Sequence, residues 1–320
     1  MSKIKKRINC LTLKSLIHIS MHSHACPPLN YRFTTTDLML ICASVIWGVN
    51  FSVVKIALVD FHPIIFNAMR SGFASLVTLA VLTIKKNLNL RREDLWHILR
   101  LSLIGHVIYQ FCFIFGVSLT TACNSALILA TTPIFVALLS SVLGIERVNR
   151  KIWVAVALSF IGILLITLGS GHVPTFADRS LIGDLLIVAG TLCWSLYTVL
   201  SKPLLQKYTP IQLVSLTMSI GTPPLVVISI PYIREQSWAS ISIYGWSGLI
   251  YSFLFSLAIG YVLWYNGVSR IGSTRTSLYH NLTPVIALII AWLFLSERIA
   301  SLQILGAVLI FLSLYAARNR

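Results

Sequence analysis

Several polar and aromatic side chains lie inside the long apolar runs of this 320-residue chain. Polar groups at membrane depth are costly, so they mark candidate sites for binding or conducting a solute. Arg70 is the sharpest of them, because it lies about 10 Å into the second run at 1.5 Å per residue. Its permanent charge could attract an anionic group such as a substrate carboxylate. The alternatives are contacts to backbone carbonyls or a side chain that reaches the interface.

The other candidate substrate-binding residues are aromatic or hydrogen-bonding and come from both halves of the chain. Trp47 and Asn50 share one helical face at positions i and i+3. The full set is Trp47, Asn50, Arg70, Tyr109, Gln110, Asn124, Trp194, Tyr197, Tyr261, His280 and Asn281. Trp264 and Tyr265 are weaker candidates, because they fall near the expected inner interface, where an aromatic belt is the ordinary explanation.

Acidic residues are informative by their positions, since none of the nine lies deep inside an apolar run. Proton coupling would therefore need His106 or His280, because imidazole titrates near neutral pH. For each of these histidines the alternative is a structural role, in which the ring packs in the core and is hydrogen-bonded. The sequence shows no metal-ligand spacing, no phosphate-binding glycine loop and no serine nucleophile motif. We therefore expect no enzyme activity, no metal and no cofactor.

Four further residues occur at matching positions in the two halves and suggest gating. Pro133 and Pro284 fall in the middle of their runs, where proline removes a backbone hydrogen bond and bends the helix. Paired gating elements and static kinks both explain such bends. Glu146 and Glu297 end the same runs, and a carboxylate opposes the dipole at a helix C-terminus, which predicts ion pairs at gates or loops. Lys202, near the inner end of its run, is explained by snorkelling to the interface.

These pairs belong to an internal repeat, which constrains the architecture before any element is assigned. Three short motifs recur 151 residues later: Gly116-Val117-Ser118 as Gly267-Val268-Ser269, Thr132-Pro133 as Thr283-Pro284, and Glu146-Arg147 as Glu297-Arg298. Trp47 and Trp194 are likewise each followed by a lysine eight residues later. In a chain this apolar, such a repeat indicates a transporter.

Composition places the chain in a lipid bilayer. Hydrophobic residues make up 57% and charged residues only 11%, whereas a soluble domain has about 25% charged residues. A net charge of +16 would suggest nucleic acid as the partner of a soluble protein. Here the basic residues lie between apolar runs, so we expect membrane lipid and a small-molecule substrate as partners, and no nucleic acid.

The predicted fold class is an all-α integral membrane protein with ten transmembrane helices in two inverted five-helix repeats. A crossing helix needs about 20 apolar residues, and ten such runs lie near 37–58, 64–84, 98–118, 122–143, 152–169, 182–201, 210–231, 244–266, 274–295 and 299–317. With the N-terminus inside, twenty Lys and Arg fall in inner segments and three in outer ones, which places both termini in the cytoplasm. The predicted domains are a basic tail over 1–36, a first repeat over 37–170 and a second over 182–317.

The chain resembles the EamA-type drug/metabolite transporter superfamily over about residues 37–317. The resemblance rests on Ile46-Trp47-Gly48-Val49-Asn50-Phe51, Pro63, Arg70, Thr132-Pro133, Glu146, Trp194, Tyr197, Pro284 and Glu297. It implies a ten-helix exporter or importer of small metabolites such as amino acids, sugars, nucleotide derivatives or drugs. It also implies a cavity between the third, fourth, eighth and ninth spans, with contributions from the first, second and sixth.

The sequence therefore predicts a secondary transporter of the cytoplasmic (inner) membrane. It would move a small amino acid-like, anionic or amphipathic solute by alternating access, with export favoured by the resemblance. The alternative is an integral membrane enzyme or lipid-handling protein, which would normally show clustered acids or histidines near one interface. A monomer suffices, because the inverted halves already form one cavity, and a homodimer remains the alternative.

Overall fold

A computed structural model describes residues 33–84, 90–120, 125, 128–169, 178–286 and 300–318. All regular elements in these ranges are helical. The α-helices are α1 (Thr35–Asp60), α2 (Pro63–Ile84), α3 (Leu95–Ser102), α4 (Tyr109–Leu119), α5 (Thr132–Val142), α6 (Arg150–Gly169), α7 (Asp178–Leu204), α8 (Pro210–Ser229), α9 (Ile243–Tyr251), α10 (Gly260–Ile271), α11 (Ser273–Tyr279) and α12 (Ser301–Arg318). Two π-helical segments, Leu103–Ile108 and Ser252–Ile259, join α3 to α4 and α9 to α10.

Several of these helices are long and apolar enough to cross the hydrocarbon core of about 30 Å. Within the described residues there are six such spans: Thr35–Asp60, Pro63–Ile84, Arg92–Leu119, Leu181–Leu204, Pro210–Ile233 and Ile243–Ile271. Thr132–Val142 and Ser301–Ala317 are shorter apolar helices. The last part of the ninth predicted span, 287–295, lies outside the described residues. The described chain is thus all-helical and built for multiple membrane crossings.

The helices bury small polar residues and turn large apolar ones outwards, the reverse of a soluble bundle. Val59, Ile84 and Val142 are well exposed, as a lipid-facing surface requires. Many buried hydroxyls donate to a carbonyl of the preceding turn: Ser44 donates to the carbonyl of Leu40 at 2.9 Å, and Thr78, Thr191 and Ser195 form similar bonds. This local bonding suits a medium without water, where an unpaired polar group is costly.

The same interhelical packing occurs twice, at repeat-equivalent positions. A Cβ added to Gly116 in α4 would meet Ile187 of α7, and one added to Gly267 in α10 would meet Leu40 of α1. The two glycines are equivalent in the repeat and so are their partners. The π-helical segments are also about one repeat apart. Each half therefore packs against the other through the same pair of elements.

The proline positions differ from the predicted mid-helix bends, because the structure shows interruptions. A turn at residues 130–131 precedes α5, and Pro133 lies in the first helical turn, where its missing N–H is not needed. The chain likewise turns at residues 280–281 after α11 and becomes helical again over 282–286, the stretch that contains Pro284. Discontinuous helices thus occupy corresponding positions in the two halves.

Candidate functional site

A small cavity of about 30 Å³ lies within the bundle. Its walls come from α1, α2, α4, α7, the second π-helical segment, α10 and the turn after α11. The lining residues are Trp47, Asn50, Phe51, Arg70, Tyr109, Gln110, Phe113, Leu129, Trp194, Ser256, Leu257, Tyr261 and His280. Its mostly aromatic wall with a few polar groups is typical of small-molecule sites. In this conformation the space would hold about two water molecules, so binding of a solute requires the wall to open.

The structure brings most of the sequence-predicted substrate-binding residues together in this lining: Trp47, Asn50, Arg70, Tyr109, Gln110, Trp194, Tyr261 and His280. Tyr197 and Asn281 are buried outside the lining. The hydroxyl of Tyr197 contacts that of Thr217 at 2.8 Å, and Asn281 Nδ2 donates to Ser159 at 2.8 Å. Asn124 lies outside the described residues.

Sequence reasoning missed Phe113, Leu129 and Leu257 as lining residues. Apolar side chains carry no signal of their own inside an apolar run. Phe113 could have been found from helical spacing, since it follows Tyr109 by four residues and so shares its face. The wall of the cavity was therefore harder to predict than its polar groups.

The expected aromatic belt at Trp264 and Tyr265 is absent from the structure, where both side chains are fully buried. The ring of Trp264 packs 5.1 Å from that of Trp47 and 5.9 Å from that of Trp194, measured between centroids. The prediction placed these residues by their depth along the chain. The rotation of α10 instead turns them into the core behind the cavity.

Arg70 is the chemical centre of the site. Its guanidinium is 1% exposed and donates to three neutral oxygens: Asn67 Oδ1 at 3.2 Å, Ser252 Oγ at 3.3 Å and Gln110 Oε1 at 2.5 Å. It also lies 5.2 Å from the ring centroid of Phe113. These contacts fix its direction, and a cation over an aromatic face gains some stabilisation.

No carboxylate in the described part of the chain pairs with Arg70. The two ion pairs found there join Lys202 to Glu146 and Lys207 to Asp94. A buried charge without a counter-charge is costly by several kcal/mol, even where neutral oxygens solvate it. Arg70 is therefore a buried cation without a counter-charge among the described residues.

Trp47 organises the aromatic side of the cavity. Its indole Nε1 donates to the carbonyl of Ser256 at 3.1 Å, and its ring lies 5.6 Å from Trp194 and 5.5 Å from His280. A Cβ at position 260 would lie 2.8 Å from that Nε1, so only glycine lets the first and eighth spans approach this closely. The glycine at position 260 thus lets Trp47 take its place in the cavity wall.

Repeat-equivalent residues touch each other at the cavity. Gln110 and Tyr261 are 151 residues apart, and Gln110 Nε2 donates to the Tyr261 hydroxyl at 3.1 Å. Trp47 and Trp194, the equivalent tryptophans of the two halves, are in edge-to-face contact. If the two halves are related by a two-fold axis, equivalent residues can touch only near that axis. The cavity therefore lies at the interface between the repeats.

The two candidate histidines differ in their surroundings. His106 Nε2 is hydrogen-bonded to the hydroxyls of Tyr197 at 3.0 Å and Thr217 at 3.1 Å, next to the cavity wall. His280 lines the cavity, and its Nδ1 is buried without a hydrogen-bond partner among the described residues. His106 is thus a satisfied packing residue, whereas His280 retains an unused polar atom at the site.

Glu146 joins three elements at one end of the bundle. Its carboxylate accepts from Lys202 Nζ at 2.6 Å, and from the backbone N–H of Ser273 at 2.6 Å and the hydroxyl of Thr274 at 2.6 Å. Gly272, with φ of +88°, precedes this helix start, and a Cβ there would lie 2.9 Å from Glu146 Oε1. The carboxylate therefore caps the N-terminus of α11 and ties it to α7.

The electrostatics at Glu146 favour its ionised form. Burial by itself would raise the pKa of this carboxyl, but the hydrogen bonds from Lys202 and Thr274 outweigh it and lower the pKa below its ordinary value. Lys202 was expected to snorkel to the interface, and the structure instead pairs it with Glu146. Glu297 lies outside the described residues, so its partner stays a prediction.

Sequence comparisons find relatives over most of this chain. The EamA-like transporter family matches residues 34–168 and again residues 181–318. The uncharacterized transporter YyaM of Bacillus subtilis (strain 168) is 32% identical over 285 residues, covering 88% of this chain and 92% of that protein. An uncharacterized transporter of Archaeoglobus fulgidus is 28% identical over 285 residues, covering 88% and 96%.

One solved crystal structure has the same fold, with a TM-score of 0.73 over 89% of this chain and 98% of that chain at 16% identity. The family matches each half of the chain once, in keeping with the internal repeat read from the sequence. This chain therefore belongs to the EamA-like transporter family and is a multi-pass membrane transporter of the drug/metabolite transporter superfamily.

Proposed function

We propose that the protein is a secondary transporter that carries a small metabolite with an anionic group across the cytoplasmic (inner) membrane. The observation that carries this proposal is the buried Arg70 guanidinium, which lines the cavity and has only neutral partners in the described chain. A substrate carboxylate would complete its coordination with charge-assisted hydrogen bonds. Export is the direction that the family resemblance favours.

The proposed architecture is ten spans in two inverted repeats with both termini in the cytoplasm. Five spans in each half make the second half enter the membrane from the opposite face. The paired contacts Gly116 with Ile187 and Gly267 with Leu40 support a two-fold relation between halves. Inverted halves can exchange conformations, which opens a central cavity to each side in turn.

The proposed moving parts are the interrupted helices and their glutamates. The turns before α5 and after α11 lie next to the lining residues Leu129 and His280. Glu146 holds the start of α11 against α7 and would keep the cytoplasmic side closed. Because Glu297 is the repeat equivalent of Glu146, we propose that it keeps the outer side closed in the same way.

Arg70→Met should weaken substrate binding at least tenfold, because methionine keeps an unbranched, flexible side chain and removes the charge of the guanidinium. Removing one partner of a buried charge pair costs about 2–5 kcal/mol. The measurement is ligand-induced thermal stabilisation of the purified protein against a metabolite library, followed by flux of each hit into proteoliposomes. Transport requires that the solute arrives chemically unchanged.

Arg100→Met is the matched control for this experiment, since Arg100 is exposed and stacks on Trp96 away from the cavity. It should leave stabilisation by each hit as in the wild type. Equal stabilisation of wild type and a folded Arg70→Met variant by all hits would make Arg70 structural and overturn the proposal.

We further propose that any proton coupling runs through His280. Its Nδ1 has no partner in the described chain, and imidazole is the side chain whose ordinary pKa lies nearest neutral pH. His280→Ala should make flux independent of pH between about 5.5 and 8, while His97→Ala, at an exposed position, should not. A pH profile in the His280 variant that matches the wild type would assign coupling elsewhere.

A further inference from the structure

The charges and hydrogen-bond donors of the cavity narrow the class of substrate further than the proposal of an anionic metabolite does. We infer that it is a monovalent aromatic carboxylate without an ammonium group. This inference rests on the proposed function of the cavity and assigns Arg70 as the partner of the carboxylate. It separates deaminated aromatic acids from the amino acids that have the same carbon skeleton.

The first argument is the charge balance of the wall. Among the lining residues, Arg70 is the one guanidinium, and none is a carboxylate. Its repeat equivalent in α8 is the neutral Thr217, since each residue follows the first proline of its helix by seven positions. One ligand charge therefore neutralises the site. A zwitterion would place its ammonium in the same cavity without an opposite charge, which is costly in a buried medium.

The second argument is the supply of hydrogen-bond acceptors. The two amide oxygens of the lining already have donors: Gln110 Oε1 accepts from Arg70, and Asn50 Oδ1 accepts from Ser252 at 3.2 Å. In contrast, Trp194 Nε1 is a buried donor with no acceptor in the described chain, and so is Asn67 Nδ2 beside Arg70. These unused donors favour a ligand that brings acceptor oxygens.

The third argument is the geometry of the aromatic wall. The ring centroid of Trp194 lies 5.0 Å from that of Tyr261 and 5.2 Å from that of Tyr109, which is direct ring-to-ring contact. An aromatic cage for an ammonium needs ring faces arranged around an open centre. These rings instead pack on each other and present a continuous apolar wall. Such a wall suits a flat apolar body, with ring edges free to contact an aromatic ligand.

The test compares three ligands that share a phenylethyl group: 3-phenylpropanoate, phenylalanine and phenethylamine. They carry the carboxylate alone, both charged groups, and the ammonium alone. Binding to the purified full chain in nanodiscs is measured by isothermal titration calorimetry at pH 7.5. We expect 3-phenylpropanoate to bind at least tenfold more tightly than phenylalanine, and phenethylamine not to bind. Hexanoate, an acid without a ring, should bind more weakly than 3-phenylpropanoate.

Each outcome decides the inference separately from the proposed function. If phenylalanine binds as tightly as 3-phenylpropanoate and both lose affinity in Arg70→Met, the inference is overturned and the role of Arg70 stands. If 3-phenylpropanoate binds equally well to wild type, Arg70→Met and Arg100→Met, the inference and the proposed function are both overturned. If none of the four compounds binds, the inference is overturned, and the metabolite screen with Arg70→Met decides the proposed function.

Discussion

Gln110→Glu should reduce binding of the organic anion at least about 100-fold while raising the thermal stability of the empty protein. The substitution keeps the shape of the side chain and places a carboxylate 2.5 Å from Arg70 Nη2. The new charge provides the counter-charge that the described site lacks and repels an incoming carboxylate. Completing a buried pair removes the penalty of the lone cation, and the lost ligand interaction is worth about 2–5 kcal/mol.

The opposite directions of the two effects make this variant informative. A structural defect would lower both binding and stability, whereas the proposed chemistry lowers the first and raises the second. Titration of 3-phenylpropanoate or any screened hit, together with melting of the empty protein, measures both. Gln303→Glu is the control, because Gln303 caps the start of α12 by accepting from the Ala300 N–H and glutamate can do the same. Undiminished anion binding in Gln110→Glu would contradict the role given to Arg70.

Glu146→Ala should open the cytoplasmic side of the protein. The change removes every hydrogen bond that this carboxylate accepts from Lys202, Ser273 and Thr274. Lys202 is 30% exposed along its side chain, so water offsets part of the loss. A remaining cost of about 2 kcal/mol would still shift a closed-to-open equilibrium about 30-fold.

The accessibility of Thr276→Cys reports this opening, since Thr276 is fully buried on α11 just beyond the contact. In a background without the native cysteines, an impermeant maleimide added to the cytoplasmic face should label it at least tenfold faster when Glu146 is replaced. Glu235→Ala, at an exposed position, is the matched control. Equal labelling rates in the two variants would show that Glu146 does not hold the gate.

The dependence of this gate on pH has a definite sign. Because the Glu146 pKa is lowered in the folded protein, its contribution is present above the ordinary glutamate pKa of about 4.3 and is lost as pH falls through the lowered value. The difference in labelling between Glu146→Ala and wild type should therefore be constant from pH 6 to 8. It should shrink only in acid.

The sequence by itself selected most of the polar residues that line the cavity, because the cost of a polar group in a membrane depends strongly on its depth. Arg70, Gln110 and His280 could be selected in this way before any contact was known. The internal repeat was equally accessible, since it requires only matching motifs such as Thr132-Pro133 and Thr283-Pro284. The family match to each half agrees with that interpretation.

Only the tertiary structure decided which of these groups meet. Arg70 and Gln110 are 40 residues apart, and Glu146 and Lys202 are 56 apart, so no local pattern joins either pair. Hydropathy likewise misplaced Trp264 at an interface, because it reports position along a helix and not the direction in which a side chain points. Helix rotation and the close approach of backbones at residues such as Gly260 set those directions. Depth is a property of one helix, whereas contact is a property of the packed bundle.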